Sequence, residues 1–209
     1  MSSVTSTLPV TPLPAPRMAA DERRESILAA ATAVFGAKSY AGTTTDDVAR
    51  AAGVSQPYVV RLFGTKQKLF LAVLDRTVGK LLAAFRASMA GDAETQPTRM
   101  GEAYLGLLSE RGLLQSLSAA FLLGGDPEIG PAARAHFADV WRFLRTEAGM
   151  GAETAHLFLS QGMLINTLVG LRVGTEYGAN SGMTELFDLC VPDKVDVILA
   201  QIPTATEPW

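Results

Sequence analysis

At 209 residues the chain is long enough to bury a sizeable core in one large or two small domains. Hydrophobic residues make up 48% and charged residues 19%, which excludes a wholly disordered chain, and one cysteine, Cys190, excludes an internal disulfide or a Cys-rich zinc site. The net charge of −3 hides an asymmetry: residues 17–68 carry eight Lys/Arg against five Asp/Glu, a net of +3, and residues 69–209 carry −6. A basic end joined to an acidic remainder is expected when only one end meets phosphate.

Residues 1–20 open the chain as a tail, predicted disordered: the first sixteen are uncharged, Ser/Thr/Pro-rich and hold four prolines. They contain no continuous apolar run of the kind a secretion signal needs, so a cytoplasmic location is expected. A first helix is predicted over 21–37, with Ile27, Leu28, Ala31, Val34 and Phe35 on one face and acids in its first turn. Thr44-Thr45-Asp46-Asp47 then has the form of a capping box and starts a second helix, whose stripe is Val48, Ala49 and Ala52. Gly53 stands where the chain must reverse, a place for positive φ. Ser55 caps a third helix with Pro57 in its first turn; Val59, Leu62 and Phe63 are its predicted inner face, and Gln56, Tyr58 and Arg61 its outer one. Two short helices around a glycine turn are the layout of a helix-turn-helix that reads DNA.

Thr65 caps a long fourth helix through Leu69, Phe70, Val73, Leu74, Val78, Leu81, Leu82 and Phe85. After a polar connector, further helices are predicted over 98–123, 131–148, 152–173 and 183–201, separated by Gly/Pro punctuation. No strand-like alternation of useful length occurs, so the expected fold is all-α with eight or nine helices.

The 152–173 segment lacks formal charge between Glu153 and Arg172, but His156, Ser160, Gln161, Asn166 and Thr167 argue against a membrane span. Two apolar seams run along it, Leu157/Gln161/Leu164/Leu168/Leu171 and Phe158/Gly162/Ile165/Val169. A stripe this wide suits a helix packed on its own domain and on a partner subunit, with Gly162 and Gly170 allowing close approach. A purely internal core helix is the alternative.

The stretch Ile27-Leu28-Ala29-Ala30-Ala31, Val34-Phe35, Tyr40, Thr43-Thr44, Val48-Ala49-Arg50-Ala51-Ala52-Gly53-Val54-Ser55, Phe63, Lys66 and Leu69 resembles the signature of the TetR family of transcriptional regulators. The likeness covers Arg23 to about Leu74; beyond the fourth helix, assignment rests on length and helicity alone. The resemblance implies a helix-turn-helix DNA-binding domain over 21–68 and a helical effector-binding and dimerisation domain over 69–209. It further implies a homodimer on a palindromic operator, most simply a repressor, released by a small-molecule effector. DNA contacts fall by that likeness on Thr43, Thr44, Ser55, Gln56, Pro57, Tyr58, Arg61 and Lys66. Thr43 and Lys66 are assigned to phosphate, Gln56, Tyr58 and Arg61 to the major groove, and Arg17, Arg23 and Arg24 to the flanking backbone or minor groove. The recognition helix departs from the family pattern: Pro57 replaces a small residue and Val60 a tyrosine, so base preference does not transfer.

An effector cavity is expected among Met100, Tyr104, Phe121, Phe137, Trp141, Gln161 and Asn166, with Phe143, Met163, His136 and Arg142 as further candidates, for an uncharged or weakly anionic apolar molecule. The same aromatics also fit an ordinary core. The dimer face is placed on Leu157, Gln161, Leu164, Leu168 and Leu171. Two histidines with no nucleophile elbow, phosphate loop or His/Glu metal spacing argue against an enzyme, a metal or a cofactor. The competing reading is a helical interaction module that has lost operator binding.

Overall fold

In the computed structural model, which describes residues 20–192 and 194–202, the first helix is α1 (Ala20–Gly42). Of the tail predicted over 1–20 only Ala20 is described, and it opens α1; Arg17 lies outside the described residues. Ile27, Leu28, Ala31 and Phe35 are buried as their spacing predicts, with Val34 half-buried beside them. The helix outruns 21–37 because pairing resumes beyond a kink at Ser39 (φ 58°, ψ 175°). The kink brings the Tyr40 ring to 5.1 Å from Phe70, which also stacks edge-on to Phe35 at 4.9 Å.

α2 (Thr45–Ala51) begins with the predicted capping box: Asp47 N–H donates to the Thr44 hydroxyl at 3.1 Å and Thr44 N–H to the Asp47 carboxylate at 3.0 Å. It ends in a Schellman turn, with Gly53 at φ 64° donating to Arg50 O and Val54 donating to Ala49 O. α3 (Gln56–Phe63) buries Val59 and Phe63, but Leu62 is 38% exposed, a correction to its predicted inner face. Leu62 lies roughly a quarter-turn from Phe63, off the edge of the face that α2 and α4 cover. Ser55 holds the N-cap position, yet its hydroxyl makes no cap bond.

α4 (Lys66–Ser88) is capped by Thr65, whose hydroxyl accepts from Lys68 N–H at 3.1 Å. It buries Leu69, Phe70, Val73, Leu74, Val78, Leu81 and Phe85 and packs on α1, on α5 (Gln96–Gly106), on α6 (Leu113–Leu122) and on α7 (Ile129–Thr146). Its 23 residues span about 35 Å, so one rigid element touches both ends of the molecule.

The single helix predicted over 98–123 is instead broken into α5, a 3-10 turn (Leu107–Ser109) and α6. The break is at Gly112 (φ 78°), where α1 and α6 meet backbone to backbone. A Cβ on Gly112 would come within 2.4 Å of Thr32 O, and one on Gly36 within 2.4 Å of the Gly112 Cα. Ser116 seals the crossing by donating to Thr32 O at 3.1 Å.

α8 (Ala152–Gly170) is followed by a 3-10 turn (Val173–Thr175), α9 (Ser181–Cys190) and α10 (Val195–Leu199). The helix predicted over 183–201 therefore stops at Val191-Pro192, where proline removes a donor. Among the described residues there are ten α-helices and no strand, and no helix is long and apolar enough to cross a membrane.

Candidate nucleic-acid interface and ligand cavity

The capped turn between α2 and α3 fixes which side chains of α3 look outward. Gln56, Val60 and Arg61 lie on that side, with Gln56 Nε2 donating to the Thr45 hydroxyl at 3.1 Å and so tying α3 to the start of α2. Tyr58 is half-buried against the core, and the Arg61 guanidinium sits 4.9 Å above its ring. The pair keeps the Arg61 guanidinium against the Tyr58 ring on the exposed face of α3. Pro57 is exposed in the first turn of α3, and Thr44 is exposed at the α2 cap with its hydroxyl committed to Asp47.

Thr43 is the exception among the predicted phosphate contacts. It is 1% exposed, and its hydroxyl donates to Ser39 O at 2.7 Å, closing the kinked end of α1. An inward hydroxyl with that bond is structural, which corrects its assignment to DNA. Lys66 stays near the surface but not as a free cation: its ammonium donates to Tyr40 O at 3.1 Å and lies 4.5 Å over the Tyr40 ring. Burial, and then the charges of Asp126 and Glu128, push the Tyr40 hydroxyl pKa up. Arg24 covers the Phe63 ring at 5.1 Å.

Two of the acids near this face are neutralised locally. Asp47 receives Lys38 at 2.6 Å, and that hydrogen bond with those from Thr44 holds its carboxyl well below the usual range. Asp46 pairs with Arg50 at 2.6 Å.

A cavity of about 550 Å³ lies between α4, α5, α6, α7, α8 and the segment that joins α9 to α10. Of the predicted residues Tyr104, Phe121, Phe137, Gln161 and Asn166 line it, as do Met163 and His136. Met100 does not: it is fully buried behind α5. Trp141 belongs to a separate hollow of about 410 Å³, divided from the first by the Phe121–Phe137 pair whose rings meet edge-on at 5.6 Å. Trp141 follows Phe137 by one helical turn, and the Phe137 ring blocks its way to the larger space. Phe143 is buried in core, and Arg142 pairs with Asp139 at the surface.

Leu81 and Phe85 bring α4 into the cavity wall, and Phe85 stands 5.6 Å from Phe158 and 6.4 Å from Tyr104. Tyr104 donates its hydroxyl proton to Gly162 O at 3.1 Å, and burial pushes that phenol far above its ordinary pKa. A His136 ring nitrogen lies 2.7 Å from the Asp75 carboxylate of α4. Lys194 and Glu102 pair across the cavity at 2.8 Å.

Sequence reasoning missed the ion-pair network at the other side of α4. Arg76, nearly buried, bonds Glu25 of α1 at 2.7 Å and also Glu110 in the break between α5 and α6, while Lys80 bonds Glu110 at 2.6 Å. Burial alone would raise the Glu110 pKa, but the hydrogen bonds from Lys80 and Arg76 outweigh it and hold the carboxyl low. No local pattern announces this cluster, because its members lie on three separate stretches of chain.

On the predicted dimer face, Leu157 is 60%, Leu164 37% and Leu171 68% exposed. Leu168 is a correction: it is 3% exposed and packs into its own core, since it falls on the side of α8 shared with Ile165 and Val169. Gln161 reaches inward at its tip, donating to Cys190 O at 3.2 Å. Gly170 has open space where a Cβ would stand, and Gly162 only ordinary contact with Tyr104, so neither sits at a close helix crossing within the chain.

Residues 27–73 match the family described as bacterial regulatory proteins, tetR family. The resemblance to the TetR family is thereby shown for this segment. Similar curated proteins include the HTH-type transcriptional activator FasR of Mycolicibacterium smegmatis, 40% identical over 73 residues that cover 35% of this chain and 33% of that protein. Another is the HTH-type transcriptional regulator EthR of Mycobacterium tuberculosis, 31% identical over 84 residues, 40% of this chain and 39% of that one. The matched region thus spans well under half the length of these relatives. A TetR-like transcriptional regulator from Rhodococcus sp. shares the fold over 83% of this chain and 96% of its own, with a TM-score of 0.58 at 19% identity. The helix-turn-helix and the all-helical remainder are therefore both features of the TetR fold. These relatives are named as regulators of transcription.

Proposed function

We propose that the chain is a ligand-responsive transcriptional regulator, most simply a repressor, that binds a palindromic operator as a dimer and leaves it when a small apolar molecule fills the cavity. The observation that carries this reading is the shared wall: α4 starts beside α3 at Lys66 and lines the cavity with Leu81 and Phe85. A molecule seated there presses on the element that carries the reading head. Among the curated relatives one is named an activator, so the direction of control is read by a reporter assay with the operator upstream of a promoter.

Division of labour over 21–68 and 69–209 supports the same account, although α1 binds both parts through Gly112 and Arg76. On the DNA side, Gln56 and Arg61 are assigned to base edges, Tyr58 to positioning Arg61, and Ser55 and Lys66 to phosphate, with Thr44 holding the α2 cap and Pro57 fixing the start of α3. Leu157, Leu164 and Leu171 recur along one exposed face of α8 and are assigned to the subunit interface, joined by Leu189 of α9. A chain that hides this face in a dimer places the reading heads as a pair, and the cytoplasm is the compartment in which such a regulator meets its DNA.

The test is titration, at several salt concentrations, of an operator recovered by selection from a random duplex library. Arg61→Ala is expected to lose about 1–3 kcal/mol of discrimination at one base position per half-site. Lys66→Ala is expected to weaken all sequences alike and to flatten the salt slope by about 0.9 for each phosphate the lysine no longer neutralises. Binding that is insensitive to salt and to both substitutions would favour the competing reading, a helical interaction module without operator binding.

A further inference from the structure

Asn166 stands apart from the other polar groups of the cavity. It lies on α8, is 7% exposed and lines the cavity. Its Nδ2 donates to Leu114 O at 3.3 Å and to Ser118 Oγ at 3.2 Å, both on α6. A backbone carbonyl only accepts, so the amino side of the carboxamide must face Leu114; Ser118 spends its own proton on the same carbonyl at 3.3 Å. The amide is thereby fixed in one orientation, with Nδ2 and not Oδ1 turned to the Leu114 carbonyl. Oδ1 is buried and has no hydrogen-bond partner among the described residues. Buried acceptors are rarely left empty, because desolvation goes uncompensated.

Four of the neighbouring polar groups have partners inside the protein. Gln161 donates to Cys190 O, Tyr104 to Gly162 O, Lys194 pairs with Glu102, and His136 with Asp75. Among the described residues that line the cavity, Asn166 Oδ1 is the buried side-chain atom left without a partner.

We infer that the cavity takes a neutral, mainly apolar molecule carrying a hydrogen-bond donor, a hydroxyl or amide N–H, which is placed on Asn166 Oδ1. This rests on the reading of the cavity as an effector site and narrows its chemistry. A carboxylate end is disfavoured, since two acceptors would face each other at a buried position. The same contact supplies a route to the reading head: Asn166 holds α6, and α6 meets α1 backbone to backbone at Gly112.

The experiment compares decanol, decyl methyl ether and decanoic acid by calorimetric titration into the full-length protein. The three share one apolar chain; only decanol at neutral pH is an uncharged donor. Decanol is expected to bind about tenfold tighter than the ether, the value of one well-placed hydrogen bond, with decanoic acid weaker than decanol. In Asn166→Leu the alcohol–ether difference should disappear while binding of the ether is retained or improved. Tyr104→Phe, which removes the other buried hydroxyl, should leave the preference intact. Equal binding of alcohol and ether to the wild-type protein overturns the inference but leaves the cavity as an effector site. So does a preference lost in Tyr104→Phe and kept in Asn166→Leu. Failure of all three probes to bind overturns the effector site and this inference together. Because the wild-type comparison alone decides whether a donor matters, the test stands even if Asn166→Leu does not fold.

Discussion

Replacing Gly112 by alanine attacks the place where α1 and α6 meet backbone to backbone. The added methyl would stand 2.4 Å from Thr32 O and 2.8 Å from the Ala33 Cα, and both are main-chain atoms that cannot swing aside. Gly112 also sits at φ 78°, where a Cβ costs about 1–2 kcal/mol. Forcing two packed helices apart adds about 1–3 kcal/mol. The sum is about 2–5 kcal/mol, which for a chain of this size lowers Tm by roughly 4–20 °C. Gly79→Ala is the matched control: this glycine lies inside α4 with open space at its Cβ, so the change should stabilise by about 0.5–1 kcal/mol through helix propensity. Thermal unfolding followed by circular dichroism compares the two proteins with wild type. A Gly112→Ala Tm within about 2 °C of wild type would refute the backbone contact and the energies built on it.

The remaining predictions concern pairing and assembly. Glu110→Gln removes the acceptor shared by Arg76 and Lys80 and should cost about 1–2 kcal/mol at neutral pH by denaturant titration. Because the folded pKa of Glu110 is lowered, its contribution is present above the unfolded carboxyl range near 4.5 and is lost as pH falls through the lower folded value. The gap between wild type and variant should therefore close in acid; a gap that widens below pH 4.5 contradicts the assignment. Leu164→Glu combined with Leu171→Glu places charge on the exposed α8 face and should shift sedimentation from dimer to monomer without loss of helicity. Retention of a dimer by that variant would move the interface elsewhere.

What could be read from the chain follows the reach of each signal. The helix-turn-helix was legible because its determinants are local: a capping box closes over the four residues from Thr44 to Asp47, and Gly53 needs only its own φ to end α2. The inner stripe of α1 was legible for the same reason. Errors came where a residue's role is set by distant chain. Thr43 looked like a free donor until the Ser39 kink supplied an acceptor. Leu168 continued an apolar seam whose other leucines face outward, because a wide stripe does not say where its border falls. Trp141 and Met100 were apolar and on the right helices, but which side of an amphipathic helix meets a cavity depends on the neighbour that builds the opposite wall. The break at Gly112 did have a signal, the polar Ser109-Glu110-Arg111-Gly112 run, outweighed by the apolar residues on either side.

The face bearing Gln56 and Arg61 is held to read DNA in pairs, and everything else in the proposed function depends on it. Selection of bound sequences from a random duplex library, using purified protein of known oligomeric state at physiological salt, tests it most directly. The expected result is enrichment of a palindrome bound by a dimer, with one base position per half-site losing its preference in Arg61→Ala. No enrichment by folded, dimeric protein, or a selected sequence read identically by Arg61→Ala and wild type, would contradict it.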